Sequence, residues 1–334
     1  MNPRVAAFLS GLGLPDFPAG IAIDRWIAGL SETALQDMGL DREQLSAHLQ
    51  LLIDAGTTSP AAARTAIHTL TIEGGHDKDG RAGHDALVVK AGEIVCIVGP
   101  TGSGKSRLLA DVECLAQGDT PSGRRILLNG ALPTADQRFA PDCKLVAQLS
   151  QNMNFVVDLT VGVFLDMHAA CRQIDPGSGV TGRIIAIANS LAGERFGPDV
   201  SLTQLSGGQS RALMIADAAL LSESPIVLID EIENAGINRR DALDLLVSED
   251  KIVLVSTHDP LLALLGHRRV IIRNGRVADV ITTSEAEKAV LVQLEDIDAA
   301  LLGVRERLRR GERIENPIDW GHHSLRERLH ARNG

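Results

Sequence analysis

The sequence predicts an α/β fold, a mixed sheet carrying a helical subdomain, and three observations predict it. Ile94-Val95-Cys96-Ile97-Val98 is a continuous apolar run, as a parallel strand buried on both faces requires. It leads directly into a glycine-rich loop, Gly99-Pro100-Thr101-Gly102-Ser103-Gly104-Lys105-Ser106. Two further apolar runs, Ile226–Ile229 and Val253–Val255, end in Asp230-Glu231 and in Ser256-Thr257-His258. Open α/β sheets bind ligands beyond the C-terminal ends of their strands, so all three runs deliver their polar residues to one edge.

The loop comes first. Its glycines let the backbone curl so that successive N–H groups point inward at phosphate oxygens. A helix is expected to open near Lys105 and to place its positive end at the same phosphates. Lys105 then reaches the β- and γ-phosphates of a nucleoside triphosphate, and the Ser106 hydroxyl ligates Mg2+. A glycine turn that binds nothing is the alternative, and the strand directly ahead of the loop argues against it. At the end of the second run, Asp230 would hold Mg2+ through water. Glu231 would orient and deprotonate the attacking water, a role worth roughly 10²–10⁴-fold in rate. An acidic loop after a strand would look the same in isolation; the phosphate loop upstream favours the catalytic reading.

With these residues in place, the chain resembles the ATP-binding cassette (ABC) ATPase family over about Leu70 to Val280. Lys105 and Ser106 match the Walker A loop. Gln151, ahead of Leu159-Thr160-Val161, looks like the Q-loop glutamine. Leu205-Ser206-Gly207-Gly208-Gln209 matches the signature motif, Asp230 and Glu231 match Walker B with its catalytic glutamate, and His258 looks like the switch histidine. The resemblance implies an ATPase that uses ATP and Mg2+, with Glu231, His258, Lys105 and Gln151 catalytic and Ser106, Gln151 and Asp230 around the metal. It also implies a sandwich of two cassettes packed head to tail. Ser206, Gly207, Gly208 and Gln209 of one cassette would then face the γ-phosphate held by the other, a helix N-terminus meeting an anion. A single Walker A and a single signature occur, so pairing with a second copy is the simplest arrangement. A different partner cassette is the other.

Two departures stand out. The run after Walker B is Ile232-Glu233-Asn234-Ala235-Gly236-Ile237-Asn238, with no proline after Glu231 and with Asn238 where the family pattern has Asp. The family also stacks adenine on an aromatic ring ahead of Walker A, whereas this chain has no tyrosine, and His76 is the only ring between Gly74 and Gly80. His76 is therefore a stacking candidate. The segment also reads as a polar glycine-rich turn, and a weak adenine platform would loosen selection between ATP and GTP.

Composition bounds the rest. The 334 residues divide into a helical extension over 1–62, a cassette over 66–282 with its helical subdomain at about 161–204, and a C-terminal helix with a charged tail over 283–334. In the extension, Asp41-Arg42-Glu43-Gln44 reads as a capping box before Leu45–Ile53, and Trp26, Ile27 and Leu30 as a small apolar face. Either partner docking or simple packing on the cassette would explain these helices. Asn274-Gly275 between apolar runs predicts a hairpin. From about Glu285, Val290, Leu294, Ile297, Leu301, Val304 and Leu308 form a coiled-coil seam, suited to self-association or to packing on the chain's own domain. His322 and His323 read as solvated. Aromatic residues are 2% of the chain, so the core is built from aliphatic side chains. A net charge of −10 argues against a broad nucleic-acid surface. Cys96, Cys114, Cys143 and Cys171 have no metal-ligand spacing and suit a reducing cytoplasm. No apolar run approaches the ~18 residues of a membrane span.

The purpose stays open at this level. Leu159-Thr160-Val161 and Val163-Phe164-Leu165 resemble transporter cassettes, whose client is a separate membrane-spanning subunit. That places the chain in the cytoplasm or, held by such a subunit, on the inner face of the membrane. The extension and the altered loop resemble soluble machines acting on a protein complex in metalloenzyme activation, translation or DNA repair. A slow nucleotide-gated binding switch is a third reading.

Overall fold

The computed structural model describes residues 26–27, 29–30, 42, 46, 66–83, 86–139, 144–150, 155, 157–172, 174–230 and 237–315. The chain divides into two compact units, Met1–Ala66 and Ile67–Gly334. In the first, Trp26 and Ile27 are buried, as the apolar face requires. Arg42 there donates to the carbonyls of Ile27 (2.7 Å) and Leu30 (2.9 Å). Most of the expected capping box and the run Leu45–Ile53 lie outside the described residues, as do His322 and His323.

The second unit contains two sheets. Strands β1 (Thr69–Glu73), β2 (Leu87–Lys90) and β4 (Arg125–Leu128) form an antiparallel sheet in the order β2-β1-β4. The larger sheet has six strands: β5 (Val146–Leu149), β6 (Ile226–Asp230), β7 (Ile252–Ser256), β3 (Ile94–Val98), β8 (Arg268–Arg273) and β9 (Arg276–Thr282), in that spatial order. β5, β6, β7, β3 and β8 run parallel, and β9 returns antiparallel. The expected hairpin is the β8–β9 pair, with Asn274 and Gly275 both at positive φ (50° and 90°), as a two-residue type I′ turn demands.

The apolar runs fill both faces of this sheet because successive side chains alternate sides. Val95, Ile97, Leu228 and Leu254 join the smaller sheet and Leu108, Leu109 and Val112 of α1 (Lys105–Glu113) in one core. Cys96, Val227, Ile229, Val253 and Val255 face the other core. That core contains residues of α3 (Val161–Cys171), α4 (Val180–Leu191), α5 (Gly207–Leu220) and α6 (Arg239–Ser248). A short α2 (Ala135–Phe139) follows β4, and α7 (Pro260–Leu265) follows β7. The C-terminal helix α8 runs Glu285–Arg309. It is tied down by buried Leu291 and by ion pairs from Arg269 to Glu287 and from Arg240 to Glu295. Along the expected seam Val290, Leu301 and Leu308 remain exposed, while Leu294, Ile297 and Val304 are half-buried.

Candidate functional site

The glycine loop closes where expected, between β3 and the start of α1 at Lys105. Its glycines answer to close packing against the β8–β9 hairpin. A Cβ on Gly99 would lie 2.5 Å from the Ile272 carbonyl oxygen, and one on Gly104 would lie 2.9 Å from the Gly275 Cα, where φ is also +106°. The Gly275 N–H donates to the Ser103 carbonyl at 2.7 Å. Thr101, Gly102 and Ser106 are exposed.

Lys105 is 7% exposed and folds into the loop. Its ammonium donates to the Gly99 carbonyl at 2.9 Å and to that of Pro100 at 3.4 Å, and its Nζ lies 3.2 Å from His258 Nε2. An ammonium offers only donors, so Nε2 is the acceptor in that pair. Residues 153 positions apart in sequence thus meet at one sheet edge. The meeting follows from the topology: β3 and β7 are parallel neighbours, with Ile97 opposite Ser256, and the Thr257 N–H donates to the Ile97 carbonyl at 3.2 Å. On the other side of β7, Asp230 pairs with Ser256 and is half-buried. The hydroxyls of Ser103 and Ser256 are both buried without a hydrogen-bond partner among the described residues. Two unsatisfied hydroxyls beside the loop and the β6 terminus are what a polar ligand would complete.

Glu231 and Gln151 lie outside the described residues, with the rest of the run to Gly236. Asn238 is described, and its side chain accepts from the Asp241 N–H as the N-cap of α6. Asparagine therefore stands there as a good helix cap. Behind it, Arg239 forms an ion pair with Asp259, which itself caps α7 just after His258.

The segment ahead of β2 places His76 and Lys78 in different surroundings. The His76 ring lies over Gly123, where a Cβ would fall 2.6 Å from ring Cε1. The residue that turns to the loop is Lys78, whose N–H donates to the Asn274 carbonyl at 3.1 Å and whose Nζ is 3.5 Å from the Gly102 carbonyl. Asp77 shapes the turn. The Arg81 backbone N–H, opposed by burial and joined by that of Asp79, holds its carboxyl below its usual range.

The signature segment sits apart, at the start of α5. Ser206 is the N-cap: the Gln209 N–H donates to its hydroxyl (3.3 Å) and the Ser206 N–H donates to Gln209 Oε1 (2.8 Å), a complete capping box. Gln209 thus holds the helix start and also donates from Nε2 to the Glu194 carbonyl at 3.4 Å, while Ser206 and Gly207 are exposed. A cavity of about 1100 Å3 lies elsewhere, lined among others by Leu191, Asn238, Leu261, Asp298 and Leu302, and no loop residue contributes to it.

Comparison with known proteins agrees with this geometry. The family described as ABC transporter matches residues 84–234. An uncharacterized ABC transporter ATP-binding protein of Methanocaldococcus jannaschii is 52% identical over 74% of this chain and 95% of its own length. The thiamine import ATP-binding protein ThiQ of Chelativorans sp. is 32% identical over 69% of this chain and 92% of its own. Among solved structures, cbiO1 from Clostridium perfringens, part of the ABC transporter complex cbiONQ, superposes with a TM-score of 0.51 at 19% identity, covering 73% of this chain and all of its own. That likeness establishes the shared fold. The chain belongs to the family of ABC transporter ATP-binding proteins, and its chemistry is the binding and hydrolysis of ATP.

Proposed function

We propose that the chain is the ATP-binding subunit of a transporter, working as a pair of copies that close head to tail on two ATP molecules. The observation that carries the catalytic part is the meeting of Lys105 and His258 beyond the ends of β3 and β7, with Asp230 delivered by β6 on the other side of β7. When a triphosphate enters the loop, the Lys105 ammonium exchanges the Gly99 and Pro100 carbonyls for β- and γ-phosphate oxygens. His258 then contacts the γ-phosphate. Glu231, the residue after Asp230, takes a proton from the attacking water as the new P–O bond forms at the γ-phosphorus. The bond to the bridging oxygen breaks, and ADP and phosphate leave. Gln151 joins the catalytic set as the sensor of the γ-phosphate and its metal.

A magnesium site fits the donors present. The Ser106 hydroxyl is exposed at the start of α1, Asp230 brings a carboxylate, and the neighbouring Ser256 hydroxyl lacks a partner among the described residues. These are the hard oxygen ligands that Mg2+ prefers. When bound, the ion would neutralise charge on the β- and γ-phosphates. Ser206, Gly207 and Gly208 would complete the second copy's site, which accounts for the exposure of Ser206 and Gly207 on a capped helix start. Lys78, close to the Gly102 carbonyl, would add a charge contact to the nucleotide, beside the stacking contact expected of His76.

Within the described residues no helix is long and apolar enough to cross a membrane, and the reading gives the membrane-spanning part to another chain. ThiQ and cbiO1 are named for such assemblies, which supports a membrane-spanning client here. With the segments taken as 1–62, 66–282 and 283–334, the resemblance to the family gives client contact to the helical subdomain of the middle one. The test is a pull-down with Glu231→Gln held closed on ATP, run on membrane and soluble fractions. Recovery of a multi-span membrane protein supports the transporter reading. Recovery of a soluble enzyme or ribosome alone overturns it and gives the chain to the soluble class.

A further inference from the structure

We propose that Arg124 and Asp111 are positioning residues for the phosphate-binding loop, acting through the β8–β9 turn. Arg124 lies immediately before β4, is 1% exposed, and pairs with Asp111 of α1, which is 0% exposed; Nη1 and Oδ2 are 2.7 Å apart. The Ser122 hydroxyl donates to the same carboxylate oxygen at 2.7 Å. The other arm of the guanidinium, Nη2, donates to the Gly275 carbonyl. Gly275 in turn donates from its N–H to Ser103 of the loop and sits against Gly104.

The same pair supports the second nucleotide-facing segment. A Cβ on Gly75 would lie 2.9 Å from Arg124 Cγ and 2.1 Å from the Ser122 carbonyl oxygen. That carbonyl accepts the His76 N–H at 2.9 Å, and Lys78 is held by Asn274 of the turn. One guanidinium is therefore wedged behind both segments that meet the nucleotide.

Stability does not account for it. Asp111 Oδ1 and Arg124 Nε are buried with no hydrogen-bond partner among the described residues. A buried ion pair left partly unsatisfied is often matched or exceeded in stability by apolar side chains of similar volume. What apolar side chains do not reproduce is a planar fork that grips a carboxylate with one arm and a backbone carbonyl with the other.

The inference rests on the loop's being the ATP site, and the experiment separates the two. Nucleotide Kd, steady-state KM and kcat, and Tm are measured for three forms: Asp111→Leu combined with Arg124→Met, Arg124→Lys, and Lys105→Ala. The double variant removes the pair without leaving a lone buried charge, and Arg124→Lys keeps the charge while losing the fork. Both are expected to fold, with Kd and KM for ATP raised about 10- to 100-fold, the worth of a lost charge-assisted hydrogen bond. Turnover at saturating ATP should fall far less. Wild-type KM in either folded variant overturns the proposal, as does failure of both to fold, since the pair would then hold the domain and not the loop. Wild-type ATP binding by Lys105→Ala would overturn the loop assignment itself.

Discussion

The loop at Gly99–Ser106 and the segment at Ser206–Gln209 are built to different depths. The loop is braced by the β8–β9 turn, by Ile272, and by a buried ion pair one layer further back. Its lysine is already folded inward against two loop carbonyls and His258. The segment at Ser206 is braced by its own capping box and by Gln209 reaching the Glu194 carbonyl at 3.4 Å. One region is packed from behind, while the other is an exposed helix start. This contrast fits the composite site proposed between two chains, in which the braced loop would grip ATP and the exposed segment would join on closure.

Three substitutions probe the contrast, beginning with the largest effect. Lys105→Ala removes the one ammonium in the loop. It should lower kcat/KM by at least about 10²–10³-fold, the scale for losing one preorganised charge-stabilising donor, and weaken ATP binding as well. Gly207→Glu should leave ATP binding by the single chain near wild type, because a Cβ there would meet nothing within 4 Å among the described residues beyond its chain neighbours and its own helix backbone. Turnover should nevertheless collapse, because a carboxylate would face the partner's γ-phosphate. An equal loss of ATP binding would show that the segment acts within its own chain and break the comparison. Ser206→Ala deletes the cap. It should cost about 1 kcal/mol of helix stability, read as a Tm drop of ~2–4 °C.

Two smaller effects sharpen the account of the loop side. Lys78→Ala should weaken ATP and GTP alike by a few-fold, as an exposed charge contact is worth up to about 1 kcal/mol. Selective loss of ATP would instead point to base contact. Cys96, buried behind β3 with its thiol donating to the Leu262 carbonyl at 3.1 Å, is pushed up to about 12 by burial. A thiol at that value holds almost no thiolate at neutral pH, so Cys96 should resist alkylation in the folded protein while exposed Cys171 reacts.

The same contrast explains what could be read from the sequence. Periodicity and glycine spacing located β3, the loop, the start of α1 at Lys105 and the β8–β9 turn, because local backbone demands set all four. His258 was locatable only through a family pattern, yet its partner is fixed by the parallel pairing of β3 with β7. The Arg124–Asp111 pair left no such trace. Thirteen residues separate them, and either alone looks like a surface charge in a chain rich in both signs. Lys78 left no trace for a related reason: only the fold brings its ammonium to 3.5 Å from the Gly102 carbonyl. Asn238 looked like a departure, and the structure gives it an ordinary task as a helix cap.

The most direct test of the composite site is the molar mass of Glu231→Gln in solution with Mg-ATP, measured by light scattering alongside its Gly207→Glu derivative. The single chain is 35.6 kDa. The parent variant should double in mass when ATP is added, and the derivative should bind ATP and remain at the mass of one chain. A parent that stays at one chain's mass with ATP bound, or a derivative that doubles equally well, would contradict a site shared between two copies.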